Sequence, residues 1–204
     1  MDSYIVFDLE TTGFSPLSNE ILEIGAWKIQ DNVAISKFQE LVKPKGYIPL
    51  EIQRMTHITS EMICDARDIE EVLPEFYEWC EDYPLLSHNL PFDFNFVYAK
   101  AKPMNYDFSK GGTRLGICTL KLSKDYFPGR SHKLADMATF FNISLASDTE
   151  TFHRAEYDAY VAKLIYDRFK FLYPAVDGII TPSKIAADIN KYGSSQSMGS
   201  LPFV

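Results

Sequence analysis

The chain has 204 residues, 46% of them hydrophobic and 14% aromatic, which is enough to bury a real core in one compact domain and excludes wholesale disorder. Its 28 acidic residues outnumber 20 basic ones, for a formal net charge of -8. That balance excludes a protein that grips nucleic acid by blanket electrostatics, because neutralising phosphates needs a basic surface; nucleic acid would have to be handled at a local site, with help from metal cations or a partner.

Tyr4–Leu9 is a short apolar run rich in β-formers and reads as a buried strand, followed by a loop marked by Gly13, Ser15, Pro16 and Ser18. Asn19–Gln30 (NEILEIGAWKIQ) alternates as a second strand, and Asp31-Asn32 predicts a hairpin turn into a third, Val33–Val42. Three strands with short links predict an antiparallel meander. Pro49–Cys64 then reads as short helices and turns. Ile69–Glu81 has helical apolar spacing, with Pro74 inside it predicting a late start or a kink. Leu85–Ser87 is a brief buried strand, Pro91–Lys102 a helix with proline at a tolerated early position, and Leu115–Leu120 a fifth strand. Ser131–Phe141 and Glu156–Tyr173 are amphipathic helices. This order predicts an α/β/α sandwich around a mixed five-stranded sheet.

The domain so defined covers residues 1–175. Residues 176–204 read as an appendage, with a helix over Thr181–Lys191 and a Gly/Ser-rich tail, GSSQSMGSLPFV. Cys64, Cys80 and Cys118 are odd in number and lack CxxC spacing, so they read as buried apolar thiols in a reducing cytosol rather than as disulfides or zinc ligands. The run Tyr4–Phe7 meets Asp8 too soon to form the core of a signal peptide, and no run approaches the ~20 apolar residues of a membrane span. The expected location is therefore cytoplasmic.

The chemistry starts at Asp8 and Glu10. Period-two geometry puts both carboxylates on one face of a buried strand, where unpaired charge is costly and like charges repel. A hard divalent cation between them resolves the conflict; a strand end reaching solvent would do so as well, and spacing alone leaves both open. In HNLPFD, Asp93 falls at the start of a helix, where an acid suits the helix dipole. In HRAEYD, His153 and Asp158 are five residues apart, about 500° of turn, so one helix face cannot carry both. The pattern works with His153 on the loop and Asp158 in the first turns of the helix.

Taken together, DLETTG, HNLPFD and HRAEYD, in this order and each at a strand end or helix start, resemble the DnaQ-like, or DEDDh, exonuclease family, whose proofreading members act beside bacterial replicative polymerases. YIVFDLETTGF followed by NEILEIGAWKI is similar to that family's first motif and second strand, and Thr119–Ile143 is similar to its linking region. The resemblance spans roughly Tyr4–Tyr173.

It implies a ribonuclease H-like fold in which Asp8, Glu10, Asp93 and Asp158 surround two divalent cations, Mg²⁺ or Mn²⁺. Asp8 would bridge both ions, Glu10 and Asp158 would hold one side, Asp93 would support the other, and His153 would be the general base. Four carboxylates and two such cations nearly cancel in charge, and an imidazole of ordinary pKa ~6.5 suits proton abstraction near neutral pH.

The implied reaction is 3′–5′ release of nucleoside 5′-monophosphates from a DNA end. RNA trimming on the same fold, or an interaction module without activity, are the alternatives. Thr11 and Thr12 are expected at the terminal sugar, and Phe14 and Phe92 at the terminal base. His57 stands where the family commonly has Gly, and Cys118 where many members have an acid. His88 and Asn89 are expected to brace their loop, and His132 to be structural. A polymerase, or a sliding clamp reached through the tail stretch MGSLPF, are the candidate partners.

Overall fold

A computed structural model describes residues 1–144, 154–176 and the backbone of 179–180. The meander forms as expected. β1 (Tyr4–Thr11), β2 (Ile21–Gln30) and β3 (Val33–Lys43) pair antiparallel in sequence order. The β2–β3 hairpin turns on Asp31 and Asn32 with φ of 51° and 67°, the double left-handed geometry that matches strand twist. β2 starts two residues later than predicted because Asn19 is used in the loop, where its side chain accepts the Ser15 amide.

Helix α1 (Leu50–Thr56) is the one helix in the stretch expected to hold short helices and turns. It ends on His57, whose φ of 57° is the left-handed geometry that closes a helix and that glycine adopts most readily. α2 (Ile69–Cys80) runs through Pro74, so the late start, the first of the two outcomes expected of that proline, does not occur. Its first turn is secured by a capping box, in which Asp68 and Glu71 satisfy each other's exposed amides. β5 (Leu85–Ser87) and α3 (Leu90–Ala101) follow.

The predicted fifth strand is shorter than expected, β6 (Gly116–Cys118), because Thr119 starts a helix that the sequence reading missed, α4 (Thr119–Tyr126). Its buried Thr119, Leu122 and Ser123 have helical spacing. α5 (Leu134–Phe140) and α6 (Ala155–Leu172) match predicted helices within a few residues at each end.

The sheet is mixed, as expected, but wider than five strands. Its order is β4-β3-β2-β1-β5-β6-β7, with two-residue strands β4 (Arg67–Asp68) and β7 (Ile179–Ile180) added at the edges. Strands of two residues carry no readable alternation, so no pattern announces them. β5 lies parallel to β1 and to β6. One face of the sheet packs Ile5, Phe7 and Leu9 against Val72, Leu73, Phe76, Phe94 and Val97 of α2 and α3. The other packs Tyr4, Val6 and Leu86 against Met137, Ala162, Ile165 and Phe169 of α5 and α6. This is the α/β/α layering expected of a ribonuclease H-like sandwich.

All three cysteines are free thiols. Cys80 and Cys118 are buried, and desolvation pushes the Cys80 thiol up to about 12. Cys64 departs from expectation: it is exposed, in the turns after α1. Among the described residues no helix is long and apolar enough to cross a membrane. His153, the Thr181–Lys191 helix and the Gly/Ser-rich tail lie outside the described residues.

Candidate active site

Alternation along β1 turns Tyr4, Val6, Asp8 and Glu10 to the α6 side of the sheet. α6 begins beside the charged end of that row, and its Asp158 completes a trio: one carboxylate oxygen from each of Asp8, Glu10 and Asp158 lies within 4.8 Å of the others. Asp158 falls in the first turns of α6, where the sequence pattern required it. Asp93, in the first turn of α3, borders the trio rather than joining it. Its Oδ2 accepts a short hydrogen bond from the Ser87 hydroxyl at the end of β5. Two helix N-termini therefore converge on the carboxylates, with partial positive charge that favours anions.

The electrostatics are those of a crowded anionic pocket. Burial, reinforced by Asp93, Asp158, Glu10 and Glu23, holds the Asp8 carboxyl well above the ordinary carboxylate range. Glu10 is raised by burial and then by Asp158, Glu23 and Asp93, with Arg154 pulling the other way. Burial lifts Asp93 to about 7 against the hydrogen bonds from Ser87 and from the amides of Asp93 and Leu9. Clustered carboxylates with raised pKa values favour a proton or a cation. Hard oxygen donors suit Mg²⁺ or Mn²⁺, so the donor set fits divalent metal.

The flanking expectations divide. The Thr11 hydroxyl donates to the Gly13 carbonyl at 2.7 Å, and the Thr12 hydroxyl accepts the Glu20 amide at 2.9 Å, so both brace the β1–β2 loop. Phe14, at the tip of that loop, is 53% exposed. Phe92 is half-buried, with its ring centroid 5.0 Å from that of Phe96 against the core. His88 braces its loop as expected: Nε2 donates to the His132 carbonyl at 2.8 Å and Nδ1 meets the Thr119 hydroxyl at 2.8 Å. His132 in turn bonds the Phe127 carbonyl.

Ser87, Glu23, Gly25 and Arg154 also stand at the site, beyond the residues singled out from the sequence. Glu23 is fully buried on β2 directly opposite Glu10, and it accepts Arg154 Nε at 3.1 Å, Arg154 Nη2 at 2.7 Å and the Ala155 amide at 3.1 Å. A signal was present: a second carboxylate inside the apolar run EILEIGAWKI demands a cationic partner, and Arg154 lies within HRAEYD. Gly25 faces Asp8 across the strands, and a Cβ there would lie 2.0 Å from the Glu156 amide nitrogen.

A carboxylate cluster at the central strand of an α/β/α sandwich, beside two helix N-termini, has the donor set of a divalent-metal site. The chain matches the family model described as exonuclease over residues 5–166. It is 37% identical over 157 residues to a protein of Caldanaerobacter subterraneus subsp. tengcongensis described as DNA polymerase III PolC-type, covering 76% of this chain and 11% of that one. It is 36% identical over 178 residues to a Clostridium perfringens protein of the same description, covering 86% and 12%. The chain thus spans about an eighth or less of the length of these relatives.

Among solved structures, the nuclease domain of 3'hExo, described as a DEDDh family member bound to rAMP, superposes with a TM-score of 0.72 at 17% identity, covering 88% of this chain and 96% of that one. Exonuclease X in complex with 5′ overhanging duplex DNA superposes with a TM-score of 0.68 at 22% identity, covering 91% and 98%. The chain belongs to the exonuclease family, in its DnaQ-like branch.

Proposed function

We propose that the protein is a two-metal-ion 3′–5′ exonuclease that removes nucleoside 5′-monophosphates from the 3′ end of a DNA strand, in proofreading or repair. The observation that carries this reading is the trio of Asp8, Glu10 and Asp158 oxygens within 4.8 Å of one another, with Asp93 alongside. Asp8, Glu10 and Asp158 would hold the cations directly, and Asp93, steadied by Ser87, would support the far side. When bound, the cations would supply Lewis-acid activation of water and charge stabilisation for an in-line displacement. His153, the residue before Arg154 in the chain, would take the proton from the attacking water. The exposed Phe14 and half-buried Phe92 would stack on the terminal base, a contact tolerant of sequence. Thr11 and Thr12 would present the loop backbone and the remaining hydroxyl hydrogen-bonding capacity to the terminal sugar.

DNA is favoured as substrate because the two relatives named above, at 36–37% identity, are described as DNA polymerases. A polymerase, or a sliding clamp bound through the tail, would hold the enzyme at its substrate, since a chain of net charge -8 lacks the basic surface for tight unaided binding. The test is release of mononucleotides from labelled single strands of matched DNA and RNA with free or blocked 3′ ends, with and without a chelator. The reading predicts Mg²⁺- or Mn²⁺-dependent release from free 3′ ends, faster on DNA. Faster release from RNA would move the assignment to RNA trimming, and cleavage indifferent to the chelator would remove the two-metal mechanism. For His153→Ala the expectation is a large loss of rate with metal binding kept.

A further inference from the structure

Three alternate residues of β2 touch the same short stretch of chain. Glu23 accepts hydrogen bonds from Nε and Nη2 of Arg154 and from the Ala155 amide. Gly25 leaves room for the Ala155–Glu156 backbone, which a methyl group would strike at 2.0–2.2 Å. The Trp27 indole N–H donates to the Glu156 carbonyl at 3.2 Å, and its ring lies 5.5 Å from that of Tyr160. In register these residues stand opposite Glu10, Asp8 and Val6. Residues 154–156 form the entry to α6, and Asp158 follows within the next turn.

A device built for stability alone would not look like this. Glu23 is fully buried beside the like-charged Glu10, and desolvating an ion pair commonly costs as much as the pair returns. A bidentate guanidinium–carboxylate pair has a different virtue: it fixes orientation, which apolar packing does less well.

We propose that Glu23, Gly25 and Trp27 form a cradle on β2 that sets the position of the α6 entry, and through it the reach of Asp158 toward Asp8 and Glu10. Glu23 and Arg154 are positioning residues for the nuclease reaction. The inference rests on the reading that this trio holds the cations. β2 thus governs the site without contributing a ligand.

The test compares kcat and KM on a labelled single strand for Glu23→Gln, Arg154→Met, Arg154→Lys, Trp27→Phe and the double variant Glu23→Gln/Arg154→Met, with thermal unfolding measured for each. Asp8→Ala runs alongside. Partners that orient a metal ligand typically cost about 10–100-fold when removed, and a loss in that range is expected in kcat for Glu23→Gln and Arg154→Met, with KM little changed. Arg154→Lys, which keeps the charge but not the fork, should fall between, and Trp27→Phe should lose least. The double variant should be no slower than the worse single. Folded variants that keep wild-type kcat, or losses that multiply in the double, would overturn the cradle. If Glu23→Gln and Arg154→Met do not fold, Arg154→Lys and Trp27→Phe decide by the same criterion. A dead Asp8→Ala with full-rate cradle variants sinks the cradle alone; an active Asp8→Ala sinks the nuclease-site reading instead.

Discussion

β1 has two halves that share a face and differ in everything else. Tyr4 and Val6 enter an apolar core, where the Tyr4 and Tyr166 rings pack in a T with centroids 5.5 Å apart. Asp8 and Glu10, the next two positions on that face, enter a carboxylate cluster under the start of the same helix. The strand opposite changes in step: Ile29 and Trp27 face the apolar half, Gly25 and Glu23 the charged half. One strand and one helix flank all four positions, but only the helix start carries the partial positive charge that favours anions. The site is thus a local inversion of the core's rule, kept where helix N-termini offer partial positive charge.

The largest effect should come from erasing that inversion. Asp8→Ala is expected to lower the nuclease rate by about 10²–10³-fold or more, the scale of losing one preorganised electrostatic contact, measured by mononucleotide release at saturating metal. Val6→Ala, in the apolar half, should lower the melting temperature and leave the rate per folded molecule unchanged.

His88 sharpens the contrast from another side. It is buried near the same end of the sheet, yet its ring is paired as a neutral group, and burial lowers it to about 4. An imidazole depressed in the folded state stabilises the protein fully above its unfolded pKa of ~6.5, and that stability is lost as pH falls through about 4. The contribution is on the order of 3 kcal/mol. Denaturant titrations should show this acid loss in the wild type and a flatter profile in His88→Gln.

Metal should reverse the strain of the charged half. At a hundredfold excess over Kd, Mg²⁺ or Mn²⁺ is expected to add about 2.7 kcal/mol at neutral pH, read as a rise in melting temperature, and the gain should shrink sharply in Asp8→Asn. Gly25→Ala should cost about 1–3 kcal/mol, because its methyl would displace the α6 backbone. The smallest effect belongs to Phe14→Ala. If it removes one stacked base, binding should weaken by about 1 kcal/mol, seen in KM with kcat preserved.

Asp8 and Glu10 stand out in the sequence because charge in a buried strand is anomalous, whereas Asp93 and Asp158, ordinary acids at helix starts, stand out only through the three motifs taken together. The meander was legible from alternation and from the Asp31-Asn32 turn. What escaped was relational. Glu23 is as anomalous as Asp8, but it stood outside the motifs, and its partner lies 131 positions away. Gly25 reads as a weak spot in a strand until the helix that crosses it is known. α4 was hidden because Cys118 closes a strand and Thr119 opens a helix with no punctuating residue between them. The edge strands β4 and β7 are too short to carry a period.

The most direct test of the account is diffraction from crystals soaked in Mn²⁺ and a nucleoside 5′-monophosphate, with anomalous peaks located at the manganese edge. Two peaks bounded by Asp8, Glu10, Asp158 and Asp93 are predicted. A map with the nucleotide bound and no manganese among those carboxylates would contradict it.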